Sequence, residues 1–239
     1  MKVGPKIVDE GLVFCLDAAN PNSYPKSGTT WSDLVGSSSG ALTNGPVFDI
    51  ANGGSIVFDG TNDYINLGKP AYNRGNFSVE VWYQIWAYHT GYRSAIMSCW
   101  QTGAGFNNEW SITSGRDISG SSDGGFTVHV DTSGGNVNNR GIYRADGITP
   151  ELDTWYHQVG TFDGTAAKCY VNGVLIDSVT GFSNNTVITS TENIVINSFY
   201  TSSVNYSGKH RVATSRMYNR ALSAPEVLQN YEATKKRFL

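Results

Sequence analysis

The chain has 239 residues and a mass of 25.9 kDa, a length that suits a single all-β domain. Lysine and arginine total 17, aspartate and glutamate total 20, and the net charge is -3. The only basic run is 235–237, so the composition disfavours a protein that binds a nucleic-acid backbone through a basic surface.

The start of the chain and its cysteines predict a cellular compartment. Residues 1–7 lack the apolar region of a secretory signal, and no apolar run reaches the length of about 18 residues that suggests a membrane helix. We therefore expect synthesis in a cytoplasm and no membrane insertion. Cys15, Cys99 and Cys169 are widely spaced, which favours buried free thiols over a disulfide or a metal site.

Short apolar segments with strand-like patterns recur along the chain without helical periodicity. The predicted strands are 12–17, 55–59, 77–87, 126–130, 155–162, 167–171, 174–176, 193–199 and 211–218. The strand 77–87 has the clearest alternation, and the turns Asp163–Gly164 and Asn172–Gly173 join three later strands into a meander. The Gly-rich polar segments 32–44, 101–123 and 131–140 are predicted to be long loops.

One helix is predicted, beginning after Ser223. Ser223 and Glu226 have the spacing of a capping box, Pro225 suits the first turn, and Leu222 with Val227 form a hydrophobic staple. The expected fold is all-β, a two-sheet antiparallel jelly-roll sandwich with a short C-terminal helix. Residues 1–10 are expected to form an N-terminal arm, and 11–239 a single domain.

Several motifs, taken in order, resemble the laminin-G-like branch of the concanavalin A-like lectin/glucanase superfamily. They are Gly11-Leu12-Val13-Phe14-Cys15-Leu16-Asp17, Val57-Phe58-Asp59-Gly60, Phe77-Ser78-Val79-Glu80-Val81-Trp82, Trp155-Tyr156-His157, Tyr170-Val171-Asn172-Gly173 and Tyr218-Asn219-Arg220-Ala221-Leu222-Ser223. The resemblance covers nearly the whole chain and implies the same jelly-roll fold. The opening motif and the segment 227–238 further resemble a version found in structural proteins of tailed bacteriophages.

The carboxylates expected of a glucanase are not arranged as a catalytic group. Such enzymes flank the scissile bond with two carboxylates, and on this fold the pattern is Glu-x-Asp-x-Glu on a strand. The nearest match is Glu151-Leu152-Asp153, which is predicted to lie in a loop, and Glu80 is expected to form structural hydrogen bonds. The histidines and cysteines have no zinc-binding spacing. The sequence therefore predicts a protein that is not an enzyme.

Calcium is an open alternative for the loops. Relatives on this fold bind it through carboxylate, amide and backbone oxygens, which are the hard ligands that calcium prefers. Asp33, Asp59, Asn62 and Asp63 could supply such oxygens. The same residue types are ordinary turn formers, so no ligand is assigned and no cofactor is expected to be required.

Aromatic and amide side chains cluster in one Gly-rich segment. A sugar site needs a flat aromatic face together with amides or carboxylates for the hydroxyl groups. The candidate carbohydrate-binding residues are Tyr92, Trp100, Gln101, Phe106, Asn108 and Trp110. The alternative is that these aromatics anchor a long loop to the sandwich or pack against a neighbouring subunit.

The resemblance implies a non-enzymatic structural protein of a bacteriophage virion, located in a capsid decoration, tail or fibre. Its expected partners are other virion proteins, host surface polysaccharide and further copies of itself. Two alternatives stay open: a stand-alone carbohydrate-binding module, and a glucanase-like glycoside hydrolase with an altered motif.

Overall fold

The chain folds into two antiparallel sheets, as a computed structural model shows for residues 5–89, 94–100, 109–115, 125–132, 149–182, 184–199 and 207–239 and for the backbone of 139–142. The strands are β1 Leu12–Asp17, β2 Thr30–Trp31, β3 Gly40–Thr43, β4 Val47–Asp49, β5 Ser55–Val57, β6 Tyr64–Asn66, β7 Phe77–Ala87, β8 Ser94–Cys99, β9 Trp110–Gly115, β10 Gly125–Asp131, β11 Asn139–Ile142, β12 Trp155–Phe162, β13 Ala166–Val171, β14 Val174–Thr180, β15 Ile194–Ile196 and β16 Lys209–Tyr218. The helix α1 is Ala224–Thr234. The predicted all-β sandwich with a C-terminal helix is confirmed.

The strand order shows that the last strand lies inside its sheet. The first sheet runs β14-β13-β12-β7-β16-β5-β4, with β1 also paired to β16, and the second runs β11-β10-β9-β8-β15-β6-β3-β2. The predicted meander is the edge of the first sheet, β12 to β14. Strand β16 pairs with β7 on one side and with β1 and β5 on the other.

Strand β7 has the predicted bounds, and its alternation places Phe77, Val81 and Ile85 in the core between the sheets. The sequence suggested that the opposite face of this strand is exposed. In the structure Glu80 and Trp82, on that face, are also fully buried. The reason is that α1 and the segment before β1 cover this outer face.

Helix α1 begins as predicted, and its capping box is present. The backbone N and the Oγ of Ser223 each donate to Oε2 of Glu226 at 2.8 Å. Leu222 and Val227 are buried in one cluster with Tyr218, which fixes the helix against the sheet. Among the described residues, no helix has the length and apolarity needed to cross a bilayer.

A buried ionic network lies between the first sheet and α1. The strand register places Glu80 opposite Arg216, and the guanidinium of Arg216 donates to the Glu80 carboxylate. Asn230 of α1 donates to the same carboxylate at 2.6 Å, and Nε2 of His157 lies 3.2 Å from it. Burial alone raises the pKa of Glu80, but Arg216 and His157 outweigh it and lower that pKa to about 2. Glu80 is therefore an ionised structural group, as expected.

The segment 5–10, predicted as an arm, packs on the domain. The backbone N of Val8 donates to Oδ1 of Asn230 at 2.7 Å, and the Tyr218 hydroxyl donates to the carbonyl of Val8 at 3.1 Å. Gln229 also donates to the carbonyl of Lys6 at 2.8 Å. This segment therefore completes the cover over the outer face of the first sheet.

The segments predicted as long loops contain short strands, which corrects those predictions. Strand β3 lies within 32–44 and β9 within 101–123, and β11 begins within 131–140. Glycine, serine and threonine are common in these strands, so their sequences lack the apolar alternation that marks β7. The three cysteines are buried and free, as predicted.

Candidate functional site

A polar trio lies between the two sheets at one end of the sandwich. It consists of Ser94 at the start of β8, His210 at the start of β16, and Asn197 just after β15. The Nε2 atom of His210 is 2.8 Å from Oγ of Ser94, and its Nδ1 atom is 2.6 Å from Oδ1 of Asn197. All three side chains are buried, so the trio links the two sheets through hydrogen bonds.

The surroundings of Asn197 assign the tautomer of His210. The Nδ2 atom of Asn197 donates to the carbonyl of Asp63 at 3.0 Å, and the backbone N of Gly208 donates to its Oδ1 at 3.3 Å. Because Oδ1 is the acceptor, Nδ1 of His210 carries the proton and Nε2 accepts from Ser94. Burial lowers the pKa of His210 to about 3, so the imidazole is neutral at pH 7.

A small pocket opens beside this trio. Its volume is about 110 Å³, and it is lined by Gly60, Tyr88, His89, Ser207 and Lys209. Lys209 pairs with the last residue of β7 and Ser207 bridges to the second sheet, so the pocket lies where the two sheets meet.

Gly208, between the pocket residues Ser207 and Lys209, allows a close approach of the backbone to His210. A Cβ on Gly208 would lie 1.9 Å from Cε1 of His210, which no packing tolerates. Glycine at this position therefore lets the backbone of residue 208 lie against the neutral imidazole. The trio is thus next to the segment that carries the pocket residues Ser207 and Lys209, although its own side chains do not line the pocket among the described residues.

The Ser207 hydroxyl is the unusual atom of the pocket. It is buried, with the residue only 1% exposed, and has no hydrogen-bond partner within the part of the chain that the structure describes. Leaving a buried hydroxyl unpaired costs about 1–3 kcal/mol. A residue that lines the pocket therefore carries an unused hydrogen-bonding group just beneath the pocket surface.

A second polar cluster occupies the other end of β8 and β9. The carboxylate of Glu109 is fully buried and accepts from Lys69 at 2.7 Å, from the Tyr72 hydroxyl, and from N and Oγ of Ser190 at 2.8 Å. Burial raises the pKa of Glu109, but these hydrogen bonds outweigh it and lower that pKa. Both oxygens of the Glu109 carboxylate accept hydrogen bonds from the protein itself, so this cluster has a structural role at the edge of the core.

The predicted sugar-binding residues are only partly within the described residues. Tyr92, Gln101, Phe106 and Asn108 lie outside them. Trp100 is half-buried, and its ring centroid is 4.7 Å from that of His129 and 5.1 Å from that of Phe199.

The expected role of Trp110 as a sugar platform needs correction. Trp110 is 1% exposed in the core, where its indole donates to the Tyr72 hydroxyl at 3.1 Å. Because it occupies an inward position of β9, it presents no face to solvent. The alternative, an aromatic that anchors its segment to the sandwich, describes Trp110.

The carboxylates considered for catalysis differ in burial. Glu80 is buried beneath α1, whereas Glu151 is exposed in the segment before β12. Asp153 has a left-handed backbone with φ of 57° and lies 3.7 Å from Arg211. Glu151 and Asp153 thus lie outside the strands, as predicted.

The oxygens considered for calcium are used in turns. Asp33 accepts from the backbone N of Cys15 at 2.9 Å and of Val35 at 3.0 Å, and Asp59 accepts from that of Thr61 at 2.7 Å. Asp63 accepts from the backbone N of Asp59 at 3.1 Å. In the described ranges, no three His, Cys, Asp or Glu side chains form a group that could hold a metal. Calcium binding stays a prediction.

Sequence reasoning missed the pocket. Its residues come from three segments that are distant in sequence. The pairing of β7 with β16 and the bridge between Ala95 and Ser207 bring these segments together. The histidines of this region had no recognisable spacing in the sequence. No local signal would have found the site.

Solved structures with the same fold include parts of larger proteins. A Trypanosoma rangeli sialidase in complex with sialic acid matches 99% of this chain with a TM-score of 0.65 at 16% identity. The receptor-binding domain of botulinum neurotoxin type G matches 93% with a TM-score of 0.62 at 18% identity. The chain spans only 36% of the length of the sialidase and 51% of the length of the neurotoxin domain. No curated protein matches the chain.

These structures correct the prediction that the chain is not an enzyme. That prediction relied on the missing carboxylate pattern, yet sialidases contain a region with this fold. The missing glucanase pattern therefore does not exclude enzymatic activity. At 12–18% identity the likeness shows the fold alone.

The family is shown by sequence. Residues 59–228, well over half of the chain, match the family model Laminin_G_3, described as "Concanavalin A-like lectin/glucanases superfamily". The matched span runs from the turn before the pocket residue Gly60 to the middle of α1. The chain therefore belongs to the concanavalin A-like lectin/glucanase superfamily.

Proposed function

We propose that this protein binds glycans through the pocket beside Ser207. The observation that carries the proposal is Ser207, a residue that lines the pocket and whose buried hydroxyl has no partner among the described residues. Buried polar atoms are nearly always hydrogen-bonded, so the unpaired hydroxyl of a pocket residue is available to a ligand that reaches it. A sugar hydroxyl is a suitable partner because it both donates and accepts.

The other pocket residues support a sugar ligand. Tyr88 supplies an aromatic ring, and its hydroxyl donates to the carbonyl of Pro150 at 2.6 Å, which holds the ring in place. His89 and Lys209 add polar groups around it. An aromatic face beside a few fixed polar groups is the usual composition of a sugar site.

The comparisons support this proposal at the level of fold. One neighbour is a sialidase in complex with sialic acid, and another is a receptor-binding domain of a neurotoxin. The family is named for lectins as well as glucanases.

The association with a bacteriophage particle stays a prediction from the sequence resemblance. Multiple copies on a particle would convert weak glycan contacts into strong attachment. Quantitative mass spectrometry of purified particles from the source tests it: we expect a fixed ratio to the major capsid protein. Absence from clean particles contradicts the particle role and leaves the glycan proposal standing.

Removing the Ser207 hydroxyl separates a ligand-binding role from a structural one. We expect Ser207→Ala to weaken glycan binding about 2- to 10-fold, the range for one hydrogen bond. The variant should be at least as stable as the parent, because this buried hydroxyl has no partner among the described residues and an unpaired buried hydroxyl is destabilising. Binding to an immobilised glycan array and then titration calorimetry with the retained glycan measure the first effect, and thermal unfolding measures the second.

The matched control is Ser178→Ala, which removes an exposed hydroxyl from the edge strand β14. This variant should bind like the parent. The proposal is wrong if the parent chain retains no glycan on arrays of bacterial and animal glycans, or if Ser207→Ala and Ser178→Ala bind equally well.

A further inference from the structure

We infer that the pocket selects sugars that carry a carboxylate, with Lys209 as the group that recognises the negative charge; this inference rests on the proposed glycan binding. The ligand class is an acidic monosaccharide unit, such as a uronic acid or a sialic acid, within a larger glycan.

The first support is the missing counter-charge of Lys209. Of the lysines and arginines on strands whose side chains the structure describes, Lys168 is 3.8 Å from Asp163, Arg211 is 3.4 Å from Asp49, and Arg216 contacts Glu80. Lys209 has no carboxylate partner among the described residues, although it is half-buried. A half-buried ammonium without a counter-ion favours an anionic ligand.

The second support is that the Lys209 side chain is held in place. Its ammonium lies 5.3 Å from the ring centroid of Trp86, whose indole donates to the carbonyl of Phe58 at 3.2 Å. Its aliphatic part crosses Gly60, where a Cβ would lie 2.5 Å from Cγ of Lys209. Gly60 also has a left-handed backbone with φ of 77°. Both this backbone conformation and the contact with Lys209 therefore favour glycine at position 60. A cation that is already ordered loses less entropy when it binds.

The third support is the combination of donors. A carboxylate has two oxygens and can accept from the Lys209 ammonium and the Ser207 hydroxyl, which line the same pocket. The neighbouring carboxylate of Asp59 accepts from the backbone N of Thr61 in its own turn at 2.7 Å. Charge-assisted hydrogen bonds are about twice as strong as neutral ones, so Lys209 should dominate the selectivity.

The test compares acidic sugars with forms that lack only the charge. The probes are sialyllactose and an oligomer of glucuronic acid, each beside its carboxyl-reduced counterpart, with sulfolactose as a different anion. The variant is Lys209→Met, which keeps the aliphatic length and removes the ammonium. The control is Lys168→Met, a cation on the same sheet outside the pocket. Titration calorimetry measures the dissociation constants.

We expect at least one acidic probe to bind about 10-fold or more tightly than its reduced form, the range for one charged contact. Lys209→Met should remove this preference and weaken binding of the acidic form far more than binding of the reduced form, whereas Lys168→Met should keep the preference. Equal binding of acidic and reduced probes by the parent overturns the inference and leaves glycan binding intact. A preference for sulfolactose over both carboxylates also overturns it. If no acidic or reduced probe binds and the glycan array is also blank, the proposed function fails with it.

Discussion

Arg216→Met should lower the free energy of unfolding by about 3–5 kcal/mol, the usual effect of removing one member of a buried ion pair. The methionine replaces most of the volume but leaves the carboxylate of Glu80 fully buried without its guanidinium partner. His157 and Asn230 still contact that carboxylate, but neither takes the place of the guanidinium. Urea unfolding at pH 7, followed by tryptophan fluorescence, measures the change.

A double variant distinguishes the charge from the packing. With Glu80→Gln added to Arg216→Met, the buried charge is absent, so the combined loss should be well below the sum of the two single losses. Lys168→Met, which removes one member of an exposed pair with Asp163, should change the stability by about 1 kcal/mol or less. Additive losses for Glu80 and Arg216 would show that the network adds nothing beyond packing.

Trp82→Ala should cost about 3–5 kcal/mol and should also release the C-terminal helix. The indole of Trp82 is stacked on Phe238, with ring centroids 4.2 Å apart, and on Tyr231 of α1 at 5.8 Å. Its Nε1 donates to Oγ1 of Thr234 at 2.8 Å. Because one side chain makes all three contacts, its loss should increase amide hydrogen exchange in α1 as well as lower the denaturation midpoint.

The control is Trp86→Ala, on the same face of β7 but beyond the cover of the helix, where the indole is half-buried. This variant should cost less and leave exchange in α1 unchanged. Unchanged exchange in α1 of Trp82→Ala would contradict the assignment of Trp82 as the residue that docks the helix.

Local sequence signals predicted the elements that are regular over many residues. The alternation of β7 predicted the observed bounds of that strand, and the Ser223–Glu226 capping box predicted the observed start of α1. The strands that were missed have two to six residues, or a composition rich in glycine, serine and threonine. Their pairing partners stabilise them, and that information is not local.

The candidate site could be predicted less well, for the same reason. The aromatic segment around Trp110 has the composition of a sugar site, but the inward orientation of this residue depends on the register of β9 with β8 and β10. The pocket depends on β16 returning beside the end of β7, more than a hundred residues away in sequence. The structural role of Glu80 was predicted from the resemblance of Phe77-Ser78-Val79-Glu80-Val81-Trp82 to the family pattern, whereas its partners Arg216 and Asn230 are not visible locally.

The central position of β16 has a consequence for synthesis on the ribosome. This strand supplies His210 and Arg216 to the polar trio and the ionic network, and it separates β7 from β1 and β5. A nascent chain that ends before residue 209 therefore has a gap through the middle of its first sheet. Such non-local pairing makes folding slow, and the pocket forms only after nearly the whole chain has emerged. Until then the unpaired edges of β7 and β1 can pair with other nascent chains that are being translated from the same mRNA.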